Sequence, residues 1–311
     1  MTKQEYEEAV RCFQPDPGMR ERVAAAVKQV DARPRRAGPL RPALIAAALC
    51  LALVGTAFAA SPVLRGMLAE ALGGFAPFAQ QQEDKAYVIN GIEFKVKSVL
   101  ADGFTVRAYV EARDLEGERL NKLVPNEAGA ATGAVFVPTK DIGGFTTCGT
   151  CLGYDAETKT ALLSVTSWGQ VLADDTSGSE VVLVSLRDGG FQRLWENTER
   201  AAIPVDVKPI PSLSMDAGLT SAFQAEEVRL SSLGLSVIFK DGEVWRQFSG
   251  ANVRAKLADG TLVEAPWESG QGNFGVGTEH QRKLLVWNFT QPVEAEQIEG
   301  IYVGEDYFPI Q

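Results

Sequence analysis

An uncharged apolar run, Ala43 to Ala60, splits this chain into a short N-terminal piece and a long C-terminal one. Its 18 residues, helped by Leu40 before it and Val63-Leu64 after it, approach the ~20 apolar residues that cross a hydrocarbon layer of ~30 Å. The sequence therefore predicts one transmembrane helix over 39–60. Arg33, Arg35, Arg36 and Arg41 precede the run and only Arg65 follows closely. The positive-inside rule then places the N-terminus in the cytoplasm and residues 62–311 outside. Two other readings compete. Ala57-Phe58-Ala59 matches a signal-peptidase site, but 42 residues stand ahead of the run, more than a cleaved signal carries. A buried core helix would show a polar stripe, and this run has none.

The N-terminal piece holds two helical patterns. Tyr6, Ala9, Val10 and Phe13 recur at helical spacing on one face, with Glu5, Glu7, Glu8 and Arg11 on the other. Asp16-Pro17 supplies a cap and a first helical residue for a second stripe of Met19, Val23, Val27 and Val30. A segment below ~40 residues buries too little surface to offset its own ordering entropy. Residues 1–38 are therefore expected to order on a partner, with Tyr6, Val10, Phe13, Val23 and Val27 as its anchors. Five basic and five acidic side chains balance over residues 1–30, and a third helix is missing, which argues against a DNA-binding helix-turn-helix.

Beyond the run, Ser61-Pro62 is a second cap, and Leu64, Met67, Leu68, Ala71 and Leu72 trace a stripe that ends at Gly73-Gly74. Residues 61–84 read as a juxtamembrane helix and linker, lying on the bilayer or under the first outer domain. From Lys85 the period changes to two. Ile92, Phe94 and Val96 alternate with charged residues, as do Phe104, Val106, Ala108 and Val110 with Thr105, Arg107, Tyr109 and Glu111, punctuated by Asn90-Gly91 and Asp102-Gly103 turns. The pattern restarts at Glu226. The expected fold is mostly β, with two extracytoplasmic antiparallel β-sandwich domains of the immunoglobulin-like kind, over 85–208 and 209–311.

Chemistry is sparse. At 45% hydrophobic and 23% charged the chain is not disordered, and its formal net charge of −10 includes a basic linker of +3, so the outer part is near −13, which disfavours nucleic acid as an outer partner. Cys12 falls inside and Cys50 in the run, leaving Cys148 and Cys151 outside, where a disulfide persists. That bond would close a four-residue ring worth about 2 kcal/mol. A redox centre is the rival, but it needs a helix N-terminus after the motif, and Leu152 to Lys159 reads as a turn into a strand. His280 is the single histidine and cannot build a histidine-rich metal site. Trp168, Trp195, Trp245, Trp267 and Trp287 suit sandwich cores better than a sugar platform. No catalytic, cofactor or metal residues are expected, so the chain is not read as an enzyme.

The segments Met19–Val30, Ser61–Phe75, Ala225–Val237 and Ile298–Ile310 resemble the membrane-anchored anti-sigma-like proteins of Gram-positive bacteria that carry domain-of-unknown-function family 4179. The resemblance implies a cytoplasmic segment that holds an extracytoplasmic-function sigma factor inactive until an envelope signal acts on the outer domains. It does not extend to the zinc-type anti-sigma fold, whose His and Cys cluster is missing from residues 1–40. The other functional reading is a surface-anchored module that binds an envelope polymer or protein through the sandwiches, with no cytoplasmic signalling.

Overall fold

The computed structural model describes residues 61–310 apart from 142–145, 170, 173–175, 216–219, 222, 240–244, 249, 267–271 and 275–281. The expected cytoplasmic helix pair and the apolar run lie outside the described residues. Among the described residues no helix is long and apolar enough to cross a membrane, so the transmembrane helix expected over 39–60 is not among the elements described. The longest helix among the described residues, α1, spans Pro62–Leu72 and runs on as a 3-10 helix over Gly73–Phe78. Ser61 caps α1 in extended conformation, its hydroxyl accepting from Leu64 N at 3.3 Å, and Pro62 supplies the first helical residue. Gly73 at φ 48° ends it, a conformation that costs a residue with a Cβ.

Six long strands build the first domain: β1 Ile92–Ala101, β2 Thr105–Asp114, β3 Ala128–Phe136, β4 Thr146–Asp155, β5 Thr160–Trp168 and β6 Glu180–Arg187. Asn90 and Gly91, both at positive φ, form the two-residue turn that pairs Tyr87–Ile89 back on β1. All pairings run antiparallel in the order β1-β2-β5-β4-β3-β6, with short strands Gln80–Gln81 and Tyr87–Ile89 on β1 and Arg193–Glu196 and Ile203–Pro204 on β6. Thr139–Asp141 and Val171–Leu172 form a separate two-stranded ribbon. This corrects the expected immunoglobulin-like sandwich. The strands belong to one ten-stranded sheet that rolls around a single core, not to two sheets facing one another. The physical reason is continuous pairing: β4, where the sequence suggests a disulfide-closed ring at Cys148–Cys151 and a turn from Leu152, supplies the strand that joins β5 to β3.

Burial along β1 shows where the sheet is covered twice. Ile92, Phe94 and Val96 are buried and alternate with half-buried Glu93 and Lys95, as one solvated face requires. A bulge follows Val96, and from there to Ala101 every residue is buried. Inward residues there feed the domain core, while Leu100 packs outward against α1.

The second domain keeps a two-sheet packing. β7 Glu227–Ser231, β8 Gly234–Phe239 and β11 Arg282–Asn288 form one sheet with Ser212–Ser214 and Gly272–Phe274. β9 Val253–Leu257, β10 Leu262–Ala265 and β12 Ile298–Val303 form the other with Asp306–Pro309. Val237 and Trp287 of the first sheet meet Ala255 and Ile301 of the second in one core.

Candidate functional site

The most constrained place in this fold is the joint where α1 meets both β-domains. Leu64, Leu68 and Leu72 recur every fourth residue, so they share one face of α1, and each is at most 1% exposed. They pack with Leu100, Tyr109 and Leu162 of the first domain and Leu233 of the second. Two glycines permit the close approach. A Cβ on Gly153 would lie 2.4 Å from Met67 Sδ, and one on Gly74 would lie 2.7 Å from Pro292 Cδ. The first contact seats α1 on the hairpin β4–β5, and the second seats its 3-10 extension on the second domain.

The start of α1 is pinned as well. The Ser61 hydroxyl donates to Asp155 Oδ2, which also accepts from Thr158 Oγ1 at 2.8 Å, while Asp155 Oδ1 accepts from Glu157 N at 3.0 Å. Burial alone would raise the Asp155 carboxyl, but these donors outweigh it and hold it below the usual carboxylate range. The first described residue after the apolar run is thus tied to a hairpin almost a hundred residues away in sequence.

A second fixture joins the domains directly. Asp102, at the turn between β1 and β2, accepts from Phe104 N at 2.9 Å and Thr105 N at 2.8 Å through Oδ1. Its Oδ2 accepts from Ser231 Oγ at 2.6 Å, and Ser231 Oγ in turn accepts from Leu233 N and Gly234 N. Phe104, 1% exposed, packs with Ile238, Leu284 and Val286 of the second domain, and the Arg229 guanidinium stands 5.1 Å from its ring centre. Burial pushes the Asp102 carboxyl up despite Ser231 and the two backbone donors. Sequence reasoning saw only a turn here; the signal it passed over was a large apolar residue, Phe104, beside the Asp102-Gly103 turn, where a solvated tip would be polar.

Cys148 and Cys151 are both free thiols, which corrects the expected disulfide. They sit three apart on β4, so their side chains leave opposite faces of the strand and their Cα atoms stand about 10 Å apart, beyond the reach of a disulfide. Cys148 packs beside Phe104 and Trp168, and Cys151 faces the first core. Burial lifts the Cys151 thiol to about 11, which keeps it protonated rather than thiolate near neutral pH. Native alkylation should modify Cys148 ahead of Cys151, with Cys151 reacting only in denaturant, and peptide mapping should find no 148–151 bond. A cross-linked peptide would contradict the strand assignment of β4.

The partner-binding anchors Tyr6, Val10, Phe13, Val23 and Val27 lie outside the described residues. Trp168 and Trp195 are buried, the latter packed 5.0 Å from Phe94 between ring centres, and Trp287 is fully buried in the second core. Among the described residues no three His, Cys, Asp or Glu side chains converge to hold a metal ion.

No protein-family model matches the chain, and no curated protein does. One similar solved structure is the crystal structure of the conserved domain protein from Bacillus anthracis, at 12% identity and a TM-score of 0.41, covering 72% of this chain and 76% of that one. That likeness says nothing of function.

Proposed function

We propose that this chain is a membrane-held, non-enzymatic regulator of the anti-sigma kind. In this reading the two β-domains sense a state of the envelope, residues 1–30 hold an extracytoplasmic-function sigma factor, and α1 carries the change from one to the other. The observation that supports it is the burial of α1 against both domains, with Ser61 fastened to Asp155 at the point where the chain leaves for its first 60 residues. Three buried leucines contribute roughly 5–9 kcal/mol at 1.5–3 kcal/mol each. Release of α1 would expose all three leucines to water, so in this reading the signal passes as a shift of a rigid joint.

Residues 1–38 should capture one sigma factor from the cytoplasm. Phe13→Ala with Val27→Ala should release it and raise transcription from its promoters severalfold, with membrane insertion unchanged. Unchanged promoters in both that variant and a deletion of residues 1–30 would overturn the regulator reading in favour of a surface-binding module.

A further inference from the structure

The first sheet closes on itself without a ladder. One edge is the segment 80–89, and the other consists of Arg193–Glu196 and Ile203–Pro204 with the residues that follow. At one end of this seam Gln80 Nε2 donates to Lys208 O, and Lys208 N donates back to Gln80 Oε1 at 2.6 Å. Gln82 repeats the exchange with Asp206, both bonds at 2.8 Å. At the other end Trp195 Nε1 donates to Ile89 O at 3.1 Å and Asn90 Nδ2 to Glu196 O at 2.8 Å.

A glutamine amide offers one acceptor and N–H donors, as a peptide group does. Gln80 and Gln82, two residues apart, face Lys208 and Asp206, also two apart and in reverse order, as the peptide groups of an antiparallel neighbour would. A glutamine side chain plus its hydrogen bond sets the two backbones about 9–10 Å apart, roughly two interstrand spacings. The seam is one strand wide, and glutamine amides stand in for the strand.

Between its two zipped ends the seam opens into a cleft of about 410 Å³, within the size range of ligand sites. Val96, Ile203 and Val205 form an apolar floor beside Tyr87, with Glu83 and Asp206 on the rim. Lys85 over the Tyr87 ring and Lys208 beside Asp206 balance those two carboxylates, so the rim favours neither a polyanion nor a polycation. The near wall is fixed from beneath: Lys97, 3% exposed, donates to Asp84 at 2.6 Å, a bond that holds the Asp84 carboxyl low, and Lys97 lies 4.0 Å from Glu111.

We infer that this cleft takes up an extended, uncharged peptide segment of an envelope protein by strand addition. Its main chain pairs along the 83–88 edge, because across the cleft Pro204 has no N–H and the Asp206 amide and carbonyl are held by Gln82, and an apolar side chain at every second position seats on Val96, Ile203 and Val205. The near wall continues directly from α1 through Ala79, so an occupant would press on the element that carries the signal. The inference rests on the β-domains being the sensing half of the regulator.

The test is hydrogen exchange on the full chain in detergent solution, with a positional-scanning library of acetylated hexapeptide amides and no sigma factor present. Pools apolar at alternate positions should protect residues 83–88. N-methylation of alternate peptide amides should weaken binding about tenfold or more, as loss of two or three main-chain hydrogen bonds implies, and Tyr87→Ala should weaken it with the fold retained. Protection by no pool, binding indifferent to N-methylation, or protection by chitotriose in place of peptides would each overturn the inference. Because binding is read without the sigma factor, failure here and failure of the anti-sigma reading are separate results.

Discussion

Leu68→Ala should cost about 2–5 kcal/mol and lower the Tm of the full chain by roughly 5–15 °C, whereas Glu70→Ala, two positions along the same helix, should stay within about 0.5 kcal/mol. Leu68 has no exposed surface and sits at the centre of the α1 face that meets residues of both β-domains. Glu70 is exposed, so it controls for helix propensity. The loss at Leu68 combines the transfer of a buried side chain with the cavity it leaves, because α1 cannot collapse onto two partners at once. Calorimetry adds a second readout. If α1 couples the domains, weakening the joint should separate one cooperative transition into two. A single transition at unchanged Tm would mean that α1 is a passenger, and the transmission role proposed for it would fall.

The sequence made some of this joint legible and hid the rest for definite reasons. The Ser61-Pro62 cap, the leucine stripe and the Gly73 stop could be read because capping, helical spacing and positive φ are local properties. So could the Asn90-Gly91 turn and the alternation of β1 up to Val96. What covered the stripe was not local. Helical spacing says that one face is apolar but not whether lipid, one domain or two will cover it. After the bulge at Val96, burial on both faces erases the period-two signal, and that is where α1 and the second domain arrive.

β4 was hidden by composition. Thr146 to Asp155 carries two glycines and two cysteines and looks like a turn held by a short disulfide. Gly149 is needed because a Cβ there would lie 2.2 Å from the Ala131 carbonyl oxygen across the ladder, and Gly153 because Met67 closes on it. Glycine in a strand marks close approach of another backbone or element, which a single sequence cannot distinguish from a turn. Once β4 is a strand, the disulfide is excluded by side-chain direction, and the first domain must be one rolled sheet.

The joint should also respond to acid through Asp102. Asp102→Ala should cost about 2–5 kcal/mol near pH 7, since it strands the Ser231 hydroxyl and the Phe104 and Thr105 amides in a buried place. Asp102→Asn keeps an acceptor for the two amides and should cost less. The pH dependence has a definite sign. Burial raises the folded carboxyl above its ordinary 3.8, with Ser231 and Arg229 of β7 opposing, and Arg229 is itself engaged by Glu227. A raised carboxyl contributes stability that is complete below the unfolded value and lost as pH climbs through the folded one. Wild type should therefore gain on Asp102→Asn as pH falls from about 7 toward 3.8. Glu111 is raised too, but it is present in both proteins and cancels in the difference. Asp114, held at about 2 by Arg119, acts in the opposite direction and, being present in both proteins, cancels as well. Urea denaturation of both proteins at several pH values between about 4.5 and 7 measures the difference. A gap that stays constant over that range would show that Asp102 is not buried between the domains as a charged group, and the direct lock would then reduce to the packing of Phe104.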